Sequence, residues 1–194
     1  RLPTMSSTAI PNDAPVEPKR LVVITAGTGN PSSTRQLTDR IAQTSLEILT
    51  EAGTAATVSV IELAALAVDT ARAAVAGFPD DALQAAIDRL AAADAIIAAS
   101  PVYKAGISGV FKTFVDILDN DLIVAKPVLL AATGGTARHA LVIDDQLRPL
   151  FAYMRALTLP TSVYAAPEDW GTTDLGTRIE RAATELAVMV RAGV

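Results

Sequence analysis

Residues 21–37 read LVVITAGTGNPSSTRQL, and this stretch decides the fold. It runs from five apolar or β-branched residues, 21–25, into a loop with two glycines and several hydroxyls. The residues after Thr34 have the spacing of a helix. Backbone amides at a helix start are unpaired and carry partial positive charge from the helix dipole. Glycines let that backbone come close to a ligand, and Ser and Thr hydroxyls donate to anionic oxygens. A strand, a Gly/Ser/Thr loop and a helix in that order open an α/β domain whose first loop suits a phosphate.

The loop narrows the choice of phosphate. No Gly-Lys-Ser/Thr ending is present, so it is not a P-loop. Gly27 and Gly29 half-match the dinucleotide fingerprint, but Ser32 stands in the third glycine place. Glu62, near the end of the second strand, imitates the acid that grips a ribose. Ser32, Ser33 and Thr34 favour direct contact with a terminal phosphate monoester, with Arg35 beside them. The same Pro31-Ser-Ser-Thr run also serves as a helix cap with no ligand at all.

Outward from this loop, β-rich runs alternate with helical patterns. Strands are predicted at 21–25, 56–61, 95–100, 127–132 and 159–164, and helices near 33–52, 80–92, 107–119, 137–156 and 174–192. The Ala-rich region 62–79 suggests a short helix ending at Gly77–Pro79. Nearly continuous apolar strands imply a sheet covered on both faces. The β-α-β-α order implies right-handed crossovers and parallel strands. The expectation is a doubly wound, five-stranded α/β/α domain over 20–194. Residues 1–19, with four prolines, read as a flexible tail in which Met5 is a candidate natural start.

Composition excludes several classes. The 194 residues are 51% hydrophobic and 19% charged, with aromatics at 4%, which gives a globular chain with an aliphatic core. A net charge of −5 without a Lys/Arg cluster argues against nucleic acid. The absence of Cys removes thiol catalysis and Cys-based zinc sites, and the single His139 makes a His-rich metal site unattractive. No signal-like segment opens the sequence, and no apolar run approaches the roughly 18 residues of a membrane helix. A soluble cytoplasmic protein without a membrane partner is expected.

Ligands of such sheets sit beyond the carboxyl ends of the strands. The loop after the third strand begins SPVYKAGISGVFKTFVDIL, residues 100–118. Pro101 stiffens its turn and Tyr103 offers a planar face with a polar tip. Phe111 and Phe114 share a helix face with Val110, Val115 and Leu118, suited to a core or a subunit interface. The loop after the fourth strand is ATGGTARHA, residues 132–140, where Gly134 and Gly135 between Thr133 and Thr136 leave amides beside the site. An ordinary β-to-α turn also likes glycine there. His139 has no partner at a spacing that suggests a base.

With these three loops read, the chain resembles the NAD(P)H-dependent FMN reductases of the flavodoxin-like superfamily over about residues 20–171. It is most similar to the actinobacterial branch carrying SPVYKAGISGVFKTFVD and TGGTARH. The resemblance implies that Thr28, Ser32, Ser33 and Thr34 receive the flavin phosphate. It places Pro101, Val102, Tyr103 and Lys104 along the isoalloxazine ring, and Thr133, Gly134, Gly135 and Thr136 at its pyrimidine edge. Many family members carry an Arg in the first loop, where this chain has Gly27-Thr28-Gly29-Asn30, so amides carry more of the phosphate here.

The implied reaction is hydride transfer from NADPH or NADH to FMN, with no side chain acting as acid or base. Reduced flavin would feed a partner monooxygenase, or electrons would pass to quinone or azo acceptors. A flavodoxin-type electron carrier is the alternative, since Thr28-Gly29-Asn30 echoes that phosphate loop, and a flavin-free regulatory domain is a third reading. The apolar faces of 107–118 and 141–154 imply a homodimer or homotetramer. The stretch APEDWG, residues 166–171, serves either as a lid reaching a flavin or as a loop with Trp170 tucked on the core.

Overall fold

The structure is a computed structural model that describes residues 17–194. The expected tail lies almost wholly outside the described residues. Strand β1 (Lys19–Thr25) begins at the tail's last expected position and leads into α1 (Ser33–Glu51). Next come β2 (Ala56–Glu62), α2 (Ala67–Ala76), α3 (Asp81–Ala91), β3 (Ala95–Tyr103), β4 (Gly106–Ile107) and α4 (Gly109–Asp116). The chain continues through β5 (Pro127–Thr133), α5 (Arg148–Tyr153), β6 (Leu157–Thr158), β7 (Val163–Ala165) and α6 (Thr173–Ala192). No helix among the described residues is long and apolar enough to cross a membrane.

The sheet runs β2-β1-β3-β5-β6, all parallel along this path, with β4 and β7 attached to β3 and β5. Side chains of β1 alternate between two cores, as period 2 requires. Val22 and Ile24 join Ile96, Ala98, Val128 and Leu130 in one core, which also takes in Phe111, Phe114 and Phe151. Leu21 and Val23 join Ile97, Leu129 and Ala131 in the other, closed by Leu37 and Ile41 of α1 and Ile179 and Leu186 of α6. Every residue of β5 is buried. The near-continuous apolar strands seen in the sequence reflect this two-sided burial.

The sheet has seven strands among the described residues, against the five expected. In place of the expected strand 159–164 there are two short ones, β6 just before that span and β7 at its end, both paired with β5. Pro160 stands between them, and a proline has no N–H to give a ladder. The break is held instead by Glu185, which accepts from both the amide and the hydroxyl of Thr161. The other unexpected strand is β4, which doubles back antiparallel on β3 with Tyr103 opposite Gly106. Its two-residue tip, Lys104-Ala105, has φ of 50° and 62°. Consecutive positive φ is the geometry of the tight hairpin turns that favour Asn-Gly. A Lys-Ala pair carries no such signal and costs about 1 kcal/mol or more per residue.

The helices fall close to expectation, with α2 ending at Gly77 in the left-handed conformation. The exception is 137–156, which is a 3₁₀ turn (Ala137–His139), a wide π turn (Ile143–Leu147) and then α5. Pro149 removes the N–H that the carbonyl of residue 145 would have received, so a regular helix cannot run through.

Candidate functional site

At the carboxyl end of the sheet, the loops after β1, β3 and β5 converge on one cavity of about 290 Å³. Strand pairing enforces this: Thr25 lies opposite Ala99, and Pro101 opposite Thr133, so the three chains leave the sheet side by side. Of the residues expected at a site, Thr28, Ser32, Ser33 and Thr34 line the cavity from the first loop. Pro101, Val102 and Tyr103 line it from the second, and Thr133, Gly134 and Gly135 from the third. Lys104 and Thr136 stand outside the lining. Lys104 is exposed at the hairpin tip, and Thr136 caps the 3₁₀ turn with its side chain.

In the first loop the capping reading and the ligand reading divide between neighbouring serines. Ser32 Oγ accepts from the Arg35 amide at 3.1 Å as the N-cap of α1. A Cβ on Gly27 would sit 1.9 Å from that oxygen, so only glycine leaves room for the cap. Ser33 lines the cavity, and its hydroxyl has no hydrogen bond among the described residues. The Asn30–Pro31 peptide is cis. Arg35 does not face the cavity as a free cation: it pairs with Asp39 at 2.7 Å and with Glu62. The Asp39 hydrogen bond, opposed by partial burial and joined by the charges of Asp39 and Glu62, raises its pKa. Glu62 is thereby engaged, which removes the sequence argument for a ribose-gripping acid.

The second loop is tied at both ends. Ser100 Oγ accepts from the Ser108 amide at 2.9 Å and donates to the Pro101 carbonyl at 2.9 Å. The Ile107 amide donates to Gln146 Oε1 in the π turn, also at 2.9 Å. Tyr103 Oη lies 2.8 Å from Thr28 Oγ1 and joins the second loop to the first. Phe111 and Phe114 are fully buried in the protomer, so the helix face they share with Val115 is largely core.

The third loop departs from expectation in one respect. The Gly134 amide is not free, because it donates to the Ala165 carbonyl at 3.2 Å. The Gly135 amide makes no backbone hydrogen bond among the described residues and, lining the cavity, stays open to a ligand. Behind this loop stands Tyr164, which sequence reading missed. Its phenol donates to the Thr136 carbonyl at 2.7 Å and lies against Gly134, where an added Cβ would come within 2.2 Å. Burial, aided by the charges of Glu168 and Asp169, raises its pKa above the ordinary phenol value.

Pro167 also lines the cavity; it is not among the expected site residues, although it falls within the stretch 166–171. Its turn is braced by Asp169, which accepts from the Ala166 amide at 2.8 Å and pairs with Arg178 at 2.9 Å. Trp170 takes the tucked position, against the core under α1 and α6, with Arg40 5.9 Å above its ring. His139 sits in the 3₁₀ turn without a carboxylate partner among the described residues. No group of three or more metal-ligating side chains occurs among the described residues.

A family model described as NADPH-dependent FMN reductase matches residues 19–171. An FMN reductase (NADPH) of Pseudomonas aeruginosa is 39% identical over 155 residues, covering 79% of this chain and 80% of that one. The NADH-dependent FMN reductase SfnE of Pseudomonas putida is 38% identical over 149 residues, covering 77% of each. Among solved structures, an oxidoreductase from Corynebacterium diphtheriae superposes with a TM-score of 0.88 at 43% identity, covering 90% of this chain and 98% of that one.

Proposed function

The chain belongs to the NADPH-dependent FMN reductase family, and from that premise we propose how its cleft serves NAD(P)H-dependent reduction of FMN. The single observation that carries the site assignment is the convergence of three strand-end loops on one cavity. Its size, about 290 Å³, is near the lower bound of roughly 300 Å³ for small-molecule sites, which suits a flat ligand that stays partly exposed. The donor set fits as well: hydroxyls at the α1 start for an anion, and an unengaged amide at Gly135 for a ring edge.

Thr28, Ser32, Ser33 and Thr34 hold the phosphate; Pro101, Val102 and Tyr103 lie along the ring; Thr133, Gly134 and Gly135 meet its far rim, while Lys104 and Thr136 stand outside the lining. When bound, FMN supplies the hydride acceptor, and the protein aligns and shields it. The Gly135 amide donates where negative charge develops on reduction, as a fixed dipole that needs no reorganisation. Tyr103 limits water at the mouth. His139, without a carboxylate to orient it, takes no proton in this scheme.

The first loop holds phosphate by neutral donors, since Arg35 is engaged with Asp39 and Glu62. Flavin therefore exchanges, and the reduced form leaves for a flavin-dependent monooxygenase; quinone or azo acceptors are the competing outlet. We read the sheet as doubly wound, the enzyme as cytoplasmic with its nicotinamide supply, and the protomer as half of a homodimer or part of a homotetramer. Exposed Leu141 and Tyr153, together with a groove lined by Ile107, Pro149 and Leu150, offer that interface its apolar surface.

Anaerobic mixing of the protein with FMN and either NADPH or NADH tests the reading. Loss of the oxidised-flavin absorbance at a rate proportional to enzyme is expected. No acceleration with either nucleotide would end it.

A further inference from the structure

We propose that Lys104 and Arg138 form a cationic rim that receives the phosphate groups of the nicotinamide reductant, while the flavin phosphate is left to hydroxyls and amides. The inference rests on the reductase reading and specifies how that same cleft takes its second substrate.

The cations around the cleft divide into two kinds. Arg35 is paired with Asp39 and Glu62, and Arg178 with Asp169. Lys104 and Arg138 are exposed and have no carboxylate within ion-pair distance among the described residues. In a chain of net charge −5, two such cations on loops that leave neighbouring strands beside the cavity attract anions.

The sheet sets their two loops side by side. Pro101 and Thr133 are register partners on β3 and β5, and the two chains leave the sheet in contact: a Cβ on Gly134 would lie 3.5 Å from Val102 Cβ. Lys104 comes directly after Tyr103 at the hairpin tip, and Arg138 lies in the 3₁₀ turn that Thr136 caps. On the Pro167 side of the cavity stand Glu168 and Asp169, of which Asp169 is neutralised by Arg178. An extended anionic ligand over the ring is thus drawn to the hairpin side.

The backbone at the tip points the same way. Lys104, at φ 50°, occupies a conformation that Asn or Gly would adopt more easily. The turn does not need a lysine; the ammonium at its tip does the electrostatic task. The flavin's one phosphate is already matched by Ser32, Ser33 and Thr34, so the rim is left for the second nucleotide. That nucleotide brings a pyrophosphate in both NADH and NADPH, and a further 2′-phosphate in NADPH. Each charge-assisted contact is strong enough to matter.

The test uses Lys104→Asn, Arg138→Gln and the double variant. Asn tolerates the turn, so Lys104→Asn is expected to melt no lower than the unmodified protein, which separates charge from fold. The expected result is a KM for the reductant raised about tenfold in each single variant and more in the double. The dissociation constant for FMN, read by flavin fluorescence, should move by less than about twofold. A rise for NADPH alone assigns the rim to the 2′-phosphate, and an equal rise for NADH assigns it to the pyrophosphate; either supports the proposal. In the unmodified protein the reductant KM should climb with salt. Unchanged reductant KM in the double variant overturns the proposal. So does a loss confined to FMN affinity, which would hand the rim to the flavin phosphate while leaving the reductase reading intact. Failure of the unmodified protein to oxidise either nucleotide with FMN would sink the reductase reading itself.

Discussion

The hydroxyls of Thr34 and Thr133 lie 2.7 Å apart and buried, 99 residues apart in the chain. This bond ties the first turn of α1 to the end of β5 and so fixes the spacing of the first and third loops. Thr34→Val or Thr133→Val leaves one buried hydroxyl without its partner and is expected to cost about 1–2 kcal/mol. Replacing both should restore part of the loss, a coupling that a double-mutant cycle in urea would read.

Ser32 and Ser33 should separate capping from ligand binding. Ser32→Ala removes the N-cap of α1 and is expected to lower stability by about 1 kcal/mol. Ser33→Ala removes no cap, so its Tm should hold while FMN affinity falls about tenfold. Riboflavin, which lacks the phosphate, should bind both Ser33→Ala and the unmodified protein alike. Equal loss for both flavins would take Ser33 away from the phosphate.

Gly134 and Gly135 are neighbours with opposite tolerance. An added Cβ at Gly134 meets Tyr164 Oη at 2.2 Å, whereas at Gly135 nothing lies within 4 Å. Gly134→Ala is expected to cost about 1–3 kcal/mol by overpacking, relieved in part by Tyr164→Phe. Gly135→Ala should fold normally. Thermal melts of the three variants and the double check the order.

Tyr164 makes alkaline stability a local readout. Its pKa is raised by burial first and by Glu168 and Asp169 after it. The unfolded phenol ionises near 10.0, before the folded one. The stability this group contributes is therefore whole below that pH and is lost as pH rises through the folded value. Melting temperature should fall more steeply above pH 10 in the unmodified protein than in Tyr164→Phe. Parallel slopes would place the alkaline loss elsewhere.

Much of the fold was legible because it depends on local pattern. The run at 21–25, the glycines at 27 and 29 and the hydroxyls at 32–34 read directly as β1, a loop and the start of α1. The helices at 80–92 and 174–192 carry their apolar period in the sequence and appear within a residue or two. The strand expected at 159–164 fared less well: Pro160 was visible, but only the ladder with β5 shows that the strand breaks there. The hairpin strand β4 left no trace, since Lys104-Ala105 lacks the residues that signal such a turn.

The site divides in the same way. Loops carrying Gly, Ser, Thr and Pro at strand ends announced themselves by composition, and ten of the twelve expected residues line one cavity. The commitments of individual groups did not. That Ser32 caps while Ser33 stays free, that Arg35 and Glu62 occupy each other, and that Tyr164 stands behind Gly134 are pairings across the fold.

The sequence by itself determined the layered α/β plan, the three loops and their family, because strand period, helix period and turn residues act over a few neighbours. Only the tertiary structure decided which donors remain for a ligand and which are spent on the protein. A hydrogen bond or ion pair forms where the folded backbone brings two groups within about 3 Å, and distances of that kind between residues such as 34 and 133 are not written in local sequence.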